Sequence, residues 1–328
     1  MSGRFLTGIK FLMCVGFTLA CAFFLLRYAS IPPFAQARTQ IAATAITTAS
    51  NQHLANIVAP PAEIEAIIAN VQREFVPTEY ATHSDTEAIA TGEETSHCTA
   101  GFTMLEQGVY FREVSGAALR GQVMLITDPS RIIVATACRP GRQPSNVKSM
   151  VNAHAGAIGG INGGWYSGFS PVGFVIANGQ RVYPLETVEG SYTIAGFTQD
   201  NVLVVGNFSE EEALAAGIRD SLHTYPVLVL DGEPQITTGD GGWGIAPRTA
   251  IGQRLDGAVL LLTIDGRQWN SVGATQRQVQ DIFVELGAHN AIGLDGGSSS
   301  AMYFRGDYLN RPSLGYERSV PTAFLVVE

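Results

Sequence analysis

PRTAIGQRLDGAVLLLTIDGRQWNSVGATQRQVQDIFVELGAHNAIGLDG, residues 247–296, carries the topology of the protein in one stretch. Arg248 to Gln253 reads as a strand, Leu255-Asp256-Gly257 has the chemistry of a tight turn, and Ala258 to Ile264 is an apolar strand, so the two strands pair as a hairpin. The hairpin sets Arg248, at the start of one strand, beside Asp265, at the end of the other. Thr275 with Gln278 three residues on forms a capping box, Val279, Ile282, Phe283 and Leu286 make a buried helical stripe, and Gly287 stops the helix. The apolar strand Ala291 to Leu294 follows. A strand-helix-strand unit of this kind has parallel strands and a right-handed crossover, so both strands end on one edge of the sheet. Asp265-Gly266-Arg267 stands at one tip and Asp295-Gly296-Gly297-Ser298-Ser299-Ser300 at the other. Ligands bind open α/β sheets at the carboxyl ends of strands, which makes this edge the expected site.

The residue types at that edge suit an anionic group bonded to a sugar. Arg248 and Arg267 can each grip a phosphate oxygen pair bidentately. Gly296, Gly297, Ser298 and Ser299 offer backbone N–H groups and hydroxyls as an anion nest. Asp265 and Asp295 are the candidate catalytic residues, in the paired-carboxylate manner of glycoside cleavage. Asp-Gly pairs also occur at Asp231, Asp240 and Asp256, where each is simply turn chemistry; convergence with two arginines sets the other two apart. A second segment, AIGGINGGWYSGFSPVGFVIANG (157–179), runs a strand into Asn162-Gly163-Gly164. Its glycines permit close backbone approach to a ligand, Asn162 can bond sugar hydroxyls, and Trp165-Tyr166 forms a stacking platform with polar tips. The bland alternative is an Asn-Gly turn followed by core aromatics.

Around these segments the chain is a loop-rich globular protein. With charged residues at 15%, 36 Gly and 15 Pro, it is neither disordered nor a coiled coil. Twenty basic against 29 acidic residues leave a net charge of -9, which excludes a nucleic-acid partner. Residues 103–328 alternate short β-branched runs, such as Val123 to Thr127, Ile132 to Thr136 and Val227 to Leu230, with turn residues and three short helices. Ser145 is expected to open the first helix, and Ser209 with Glu212 caps the second. The expected fold class is α+β: a single mixed, β-sheet-rich domain with a few helices.

Upstream, residues 1–37 read as an export signal. The apolar run Phe11 to Leu26 follows Arg4 and Lys10 and precedes Arg27, with no acid before Glu63. It is either cleaved after the small-x-small triplet Ala35-Gln36-Ala37 or retained as a membrane anchor, and in both cases the remainder is extracytoplasmic. Residues 38–102 read as an Ala/Thr-rich stalk, an amphipathic helix from Pro61 (Ile64, Ile67, Ile68, Val71, Phe75), and a solvated linker with five acids and no base between Glu79 and Glu94. Cys98 and Cys138 are the two cysteines of the exported part, a plausible disulfide in an oxidising compartment.

Six stretches in order, INGGWY (161–166), TYPVLVLDG (224–232), APRTAIG (246–252), IDGR (264–267), LGAHNAIGLDGGSSSAM (286–302) and RSVPTAFLV (318–326), resemble the phosphodiester glycosidases, the family of the N-acetylglucosamine-1-phosphodiester alpha-N-acetylglucosaminidase or uncovering-enzyme catalytic domain. The resemblance covers about residues 121–328. It implies an α+β fold and hydrolysis of a sugar-1-phosphodiester, in bacterial members a glycosyl-phosphate linkage of envelope or exopolysaccharide. The family's motif residues fall on Asn162, Gly163 and Gly164, on Arg248 and Thr249, on Asp265 and Arg267, and on Asp295 to Ser299. Two departures stand out: Ser298 occupies the place of a third glycine, and Trp165-Tyr166 replaces a frequent Phe-Phe. If that glycine requires a left-handed backbone, Ser298 carries a strain of about 1–2 kcal/mol or shifts the loop.

On this reading the arginines hold the phosphodiester and one aspartate acts at the anomeric carbon, as nucleophile or as base for water. The spacing of Asp240, Asp265 and Asp295 matches no standard calcium loop, so no cofactor is expected, with a divalent cation on those oxygens as a variant. A serine hydrolase fits poorly, because Ser298 to Ser300 lack a G-x-S-x-G elbow. The rival from another class is a non-catalytic glycan-binding module for polymer export, which needs Trp165, Tyr166 and Asn162 but not both carboxylates.

Overall fold

The computed structural model describes residues 15–21, 23–24, 38, 42, 57–65, 84, 86–90, 99–116, 118–137 and 145–328. The chain divides into two units, residues 1–76 with 242–245, and residues 77–241 with 246–328. In the first, residues 61–65 are helical from Pro61 as expected, and Arg38 Nε pairs with Glu63 Oε2 at 2.8 Å. Among the described residues no helix is long and apolar enough to cross a membrane. The rest of the amphipathic helix and both Cys98 and Cys138 lie outside the described residues.

Along the second unit run β1 (Thr103–Glu106), β2 (Val109–Ser115), β3 (Arg120–Ile126), β4 (Ile132–Thr136), α1 (Val147–Ala153), β5 (Ala157–Asn162), β6 (Val175–Ala177), β7 (Gln180–Tyr183), β8 (Ser191–Thr198), β9 (Leu203–Ser209), α2 (Glu210–Ala215), β10 (Ile218–His223), β11 (Val227–Leu230), β12 (Arg248–Arg254), β13 (Val259–Ile264), α3 (Gln276–Glu285), β14 (Ala288–Gly293), β15 (Met302–Phe304) and β16 (Thr322–Val327). They form three main sheets. The first is ordered β1-β2-β3-β13-β12-β14-β11 with the short strand Glu233–Pro234 at its edge, the second β9-β8-β10-β6-β7, and the third Asp307–Tyr308, β15, β5, β16 and β4. The fold is α+β and sheet-rich, as its sequence pattern implies.

Local sequence explains the elements that matter for the site. Thr275 Oγ1 accepts from Gln278 N at 3.2 Å while Gln278 Oε1 accepts from Thr275 N at 2.9 Å, so both orphan donors at the start of α3 are satisfied. Ser209 and Glu212 do the same for α2. Gly217 and Gly287, at φ +69° and +76°, supply the left-handed stops. The opening of α1 falls one residue later than expected. Asn146, not Ser145, caps it, because Ser145 is held in a β-bridge with Val320.

The β12–β13 hairpin forms with Arg248 opposite Ile264. β12 also pairs antiparallel with β14, Ala250 opposite Gly293, so β13 and β14 run parallel with β12 between them. Both end on the same edge. The inner faces of the three sheets meet in one core, with Met124, Ile251 and Leu261 from the first, Phe197 and Leu222 from the second, and Ile161 and Phe324 from the third. Each such side chain contributes roughly 1.5–3 kcal/mol on burial. α3 lays Val279 and Phe283 on the outer face of the first sheet against Ala250 and Leu262, which fixes the floor beneath the loops that follow β13 and β14. The expected solvated linker departs from expectation where it is described. Ser84 N donates to Val205 O at 3.3 Å, Ala90 N to Leu255 O at 2.9 Å, and Ile89 is buried, because an apolar residue and open strand-edge groups give this segment something to bind.

Candidate active site

The site lies where strands of all three sheets stop. β13, β14, β5 and β10 end there, and β12 and β16 begin there. Asn162, at the end of β5, is wholly buried: Nδ2 donates to the Asp295 carbonyl at 2.6 Å, and Oδ1 accepts from Thr249 Oγ1 at 2.8 Å and from Ala301 N at 3.1 Å. Asp295 N in turn donates to Gly163 O at 3.1 Å. Asn162 and Thr249 therefore clamp the Asp295 loop, where a direct bond from Asn162 to a sugar was expected. The glycines after it are also explained by packing. A Cβ on Gly163 would stand 2.5 Å from Thr322 Oγ1, and one on Gly164 would strike the His223 carbonyl, so close approach here is to neighbouring strands, not to a ligand.

Asp295 stays partly open to solvent, yet loss of water around its carboxylate pushes its pKa up to about 6. The Ser299 hydroxyl, the charge of Arg318 and the Gly296 N–H pull the other way and are outweighed. Tyr166 and Tyr225 face the same carboxylate. Burial and then the negative charge of Asp295 raise both phenols, which keeps them protonated at neutral pH. Tyr166 Oη is 3.2 Å from Ser299 Oγ, and the Arg318 guanidinium lies over the Tyr166 ring at 5.5 Å. Trp165 stacks on Tyr225 with centroids 4.4 Å apart and planes 14° off parallel. Trp165 and Tyr166 are both partly exposed, so the aromatic wall reaches solvent.

Three consecutive residues of the loop after Asp295 each meet a different arginine. A Cβ on Gly296 would stand 3.8 Å from Arg248 Cδ, one on Gly297 would stand 3.3 Å from Arg267 Nη2, and Ser298 Oγ accepts from Arg318 Nη1 at 3.1 Å. Arg248 is 5% exposed and its Nε donates to Ala274 O at 2.9 Å. Burial brings its pKa down to about 10; Asp240 opposes that and the neighbouring Arg267 adds to it. Arg267 is held at φ +59°, a left-handed conformation that costs a non-glycine residue about 1–2 kcal/mol. Gly297 takes the left-handed position of its loop at φ +64° and Ser298 is not among the left-handed residues, so the serine in place of a third glycine bears no such strain. The expected nest of backbone donors is already engaged: Gly296 N–H serves the Asp295 carboxylate, Gly297 N donates to Pro247 O at 2.8 Å and Ser299 N to Gly296 O at 3.2 Å, so the guanidiniums are what make a cradle for an anion here.

Asp265 departs from the paired-carboxylate expectation. It is 7% exposed; Oδ1 accepts from Arg311 N at 2.8 Å, Oδ2 lies 3.4 Å from Gln122 Nε2, and Asn310 adds a further bond. Burial raises its pKa, and those donors lower it. Asp265 and Asp295 stand two strands apart, roughly 10 Å by sheet spacing, and neither shifts the other's ionisation. The reason is parity: Ile264 faces α3, so the next residue points into the interior beside Gln122. Among the described residues no group of three or more His, Cys, Asp or Glu side chains is placed to hold a metal. Asp240 neighbours Arg248, Asp265 neighbours Arg311, and Asp295 neighbours Arg318.

Residues 155–327, more than half of the chain and all of this edge, match the family model described as phosphodiester glycosidase. The chain belongs to the phosphodiester glycosidase family. This chain is 34% identical over 164 residues to the SPbeta prophage-derived uncharacterized protein YomE of Bacillus subtilis (strain 168), covering 48% of this chain and 26% of that protein. The match thus spans about a quarter of that relative's length. Its fold resembles the zebrafish N-acetylglucosamine-1-phosphodiester alpha-N-acetylglucosaminidase catalytic domain auto-inhibited by pro-peptide, with a TM-score of 0.60 and 21% identity over 75% of this chain and 88% of that one. The sequence reading missed Tyr225 and Arg318 as neighbours of Asp295. Both lie inside the motif stretches 224–232 and 318–326, so the signal was present; what the sequence lacks is the closure of three sheets that carries them to one carboxylate.

Proposed function

We propose that this protein hydrolyses a sugar-1-phosphodiester at the bond between the anomeric carbon and the phosphate oxygen. The observation that carries this reading is the run Gly296, Gly297, Ser298 set against Arg248, Arg267 and Arg318, immediately after a carboxylate whose pKa is about 6. Asp295 is the base: it takes a proton from water, the water oxygen bonds to the anomeric carbon, and the phosphate oxygen leaves with the bonding electron pair. A leaving phosphomonoester has a second pKa near 6, so it needs little protonation. Its growing charge needs neutralising, which is what fixed guanidiniums supply. A base near pKa 6 is ionised at neutral pH while remaining a competent proton acceptor. Trp165, Tyr166 and Tyr225 wall the sugar side. Family membership and the zebrafish enzyme's fold support a hydrolase of this kind.

In this proposal the unit acts outside the cytoplasm on glycosyl-phosphate linkages of envelope or exopolysaccharide, a reading supported by the apolar run at residues 11–26, which would also serve as an N-terminal membrane anchor where it is retained. The test is incubation of the purified protein with a sugar-1-phosphodiester such as UDP-N-acetylglucosamine. Free sugar released by the wild type and lost in Asp295→Asn with intact folding supports the enzyme. Binding without turnover in both proteins assigns a glycan-binding module instead.

A further inference from the structure

Arg318 meets the Asp295 loop from an exposed stretch of chain. Residues 314–316, 318 and 319 face solvent, and among the described residues no backbone–backbone hydrogen bond holds 316–319. A long guanidinium side chain keeps its aim only where the backbone beneath it is fixed, because its rotamer freedom is large. The chain is pinned on each side of it. Val320, two residues on, is buried, and its N–H donates to Ser145 O at 2.9 Å. On the other side the pin is the Glu317 carboxylate. Oε1 accepts from Val147 N at 2.6 Å; Oε2 accepts from Tyr308 Oη at 2.7 Å and lies 3.5 Å from Lys148 N. The Tyr308 ring stands edge-on to the buried Tyr303, centroids 5.4 Å apart, so that donor is itself held. A carboxylate on the first amides of a helix ordinarily serves the helix. Here α1 already has its cap, since Asn146 Oδ1 accepts from Ser149 N at 2.8 Å, and Glu317 comes from 170 residues away. Its bonds attach the loop. Glu317 and Arg318 are consecutive yet reach different neighbours, the carboxylate α1 and Tyr308, the guanidinium Ser298 and the Tyr166 ring.

We propose that Glu317 is a positioning residue for Arg318: its carboxylate clamps the loop to α1 and Tyr308, and so holds the Arg318 guanidinium against Ser298 and Tyr166. The inference rests on the phosphodiester reading above and deepens it. Glu317 is not itself catalytic, because both of its oxygens are engaged on α1 and Tyr308. Its influence reaches the reaction through charge. Arg318 opposes the burial that pushes the Asp295 carboxyl up, so loosening Arg318 raises Asp295 further. The other groups that face Asp295, namely Tyr166, Tyr225 and Ser299, stay in place when Glu317 is changed.

The experiment is a double-mutant cycle on the full chain, with Glu317→Gln, Arg318→Ala and the pair, and Tyr308→Phe as a milder variant. Glu317→Gln keeps the shape but turns an amide donor toward donors. Its kcat/KM for a sugar-1-phosphodiester is expected to fall about tenfold, and the double variant to fall no further than Arg318→Ala alone. Tyr308→Phe should show a smaller loss in the same direction. The acidic limb of the pH-rate profile should move to higher pH in Glu317→Gln and Arg318→Ala alike, since each takes positive charge away from Asp295. Losses that multiply in the double variant, or a lowered denaturation midpoint with rates and limb unchanged, would overturn the proposal. The same cycle with inorganic phosphate as the probe, read by titration calorimetry, separates this from failure of the parent reading. Phosphate affinity that falls in both single variants and no further in the double, without wild-type turnover, keeps the positioning role and rejects the hydrolase. Turnover with multiplying losses keeps the hydrolase and rejects the positioning role, and a wild type that neither binds phosphate nor turns over rejects both.

Discussion

The side-chain amide of Asn162 donates to the backbone carbonyl of Asp295 at 2.6 Å, from the end of a strand in one sheet to the loop after a strand of another. Thr249 and Ala301 donate to the oxygen of the same amide, so one buried residue fixes the Asp295 loop, the strand beside it and the turn that follows.

Removing that clamp disturbs both stability and turnover. Asn162→Ala breaks three buried hydrogen bonds and leaves the Thr249 hydroxyl without its acceptor, an expected loss of about 2–4 kcal/mol. Urea denaturation gives the stability. Turnover should fall through kcat with KM little changed, since Asn162 makes no surface contact.

The two aspartates should behave differently. Asp295→Asn is expected to abolish measurable turnover with folding intact. Asp265→Asn retains the packing around Gln122 and Arg311 and should keep turnover within about tenfold while lowering stability by roughly 1–3 kcal/mol, the range for a perturbed buried hydrogen-bonded group. Steady-state rates alongside denaturation curves of both variants check this. Equal loss of turnover would restore the paired-carboxylate scheme.

Asp295 also dictates a pH dependence. Its folded pKa of about 6 lies above the ordinary carboxylate value, so the native state keeps a proton that the unfolded chain has lost. Its contribution to stability is therefore fully present below pH about 4, declines as pH rises, and is gone above about pH 6. Asp295→Asn should consequently gain stability relative to wild type progressively from about pH 4 to about pH 6 and keep that gain above it, by about 1–3 kcal/mol at neutral pH. Activity runs the other way. kcat/KM should rise with pH through about 6 as the base ionises. Denaturation across the pH range and a pH-rate profile read the two signs independently.

Much of this was legible along the chain, and the gaps have a physical cause. Capping at Thr275 and Ser209, the glycine stops and the 248–264 hairpin depend on neighbours within a few residues, and the sequence shows them directly. The shared edge of β13 and β14 followed from the strand-helix-strand order. The face on which Asp265 points did not follow, because it depends on which side of the sheet α3 covers. Tyr225 lies in the loop that crosses from β10 of the second sheet to β11 of the first, and Arg318 in the loop before β16 of the third, so their meeting at Asp295 is a property of the closed three-sheet core.

Arg267 separates strain from stability. Arg267→Gly relieves its left-handed backbone but frees the unfolded chain, and these effects nearly cancel, leaving stability within about 1 kcal/mol of wild type. Loss of a guanidinium from the cradle should still lower kcat/KM by about tenfold or more. Thermal denaturation and kinetics of this one variant give both quantities.

The bond that breaks is the most direct test. Hydrolysis of a sugar-1-phosphodiester in water enriched in heavy oxygen, followed by mass analysis of both products, shows which fragment takes the water oxygen. Attack guided by Asp295 at the anomeric carbon puts the label in the sugar and leaves the phosphomonoester unlabelled. Label in the phosphate would mean cleavage at phosphorus and would contradict the account.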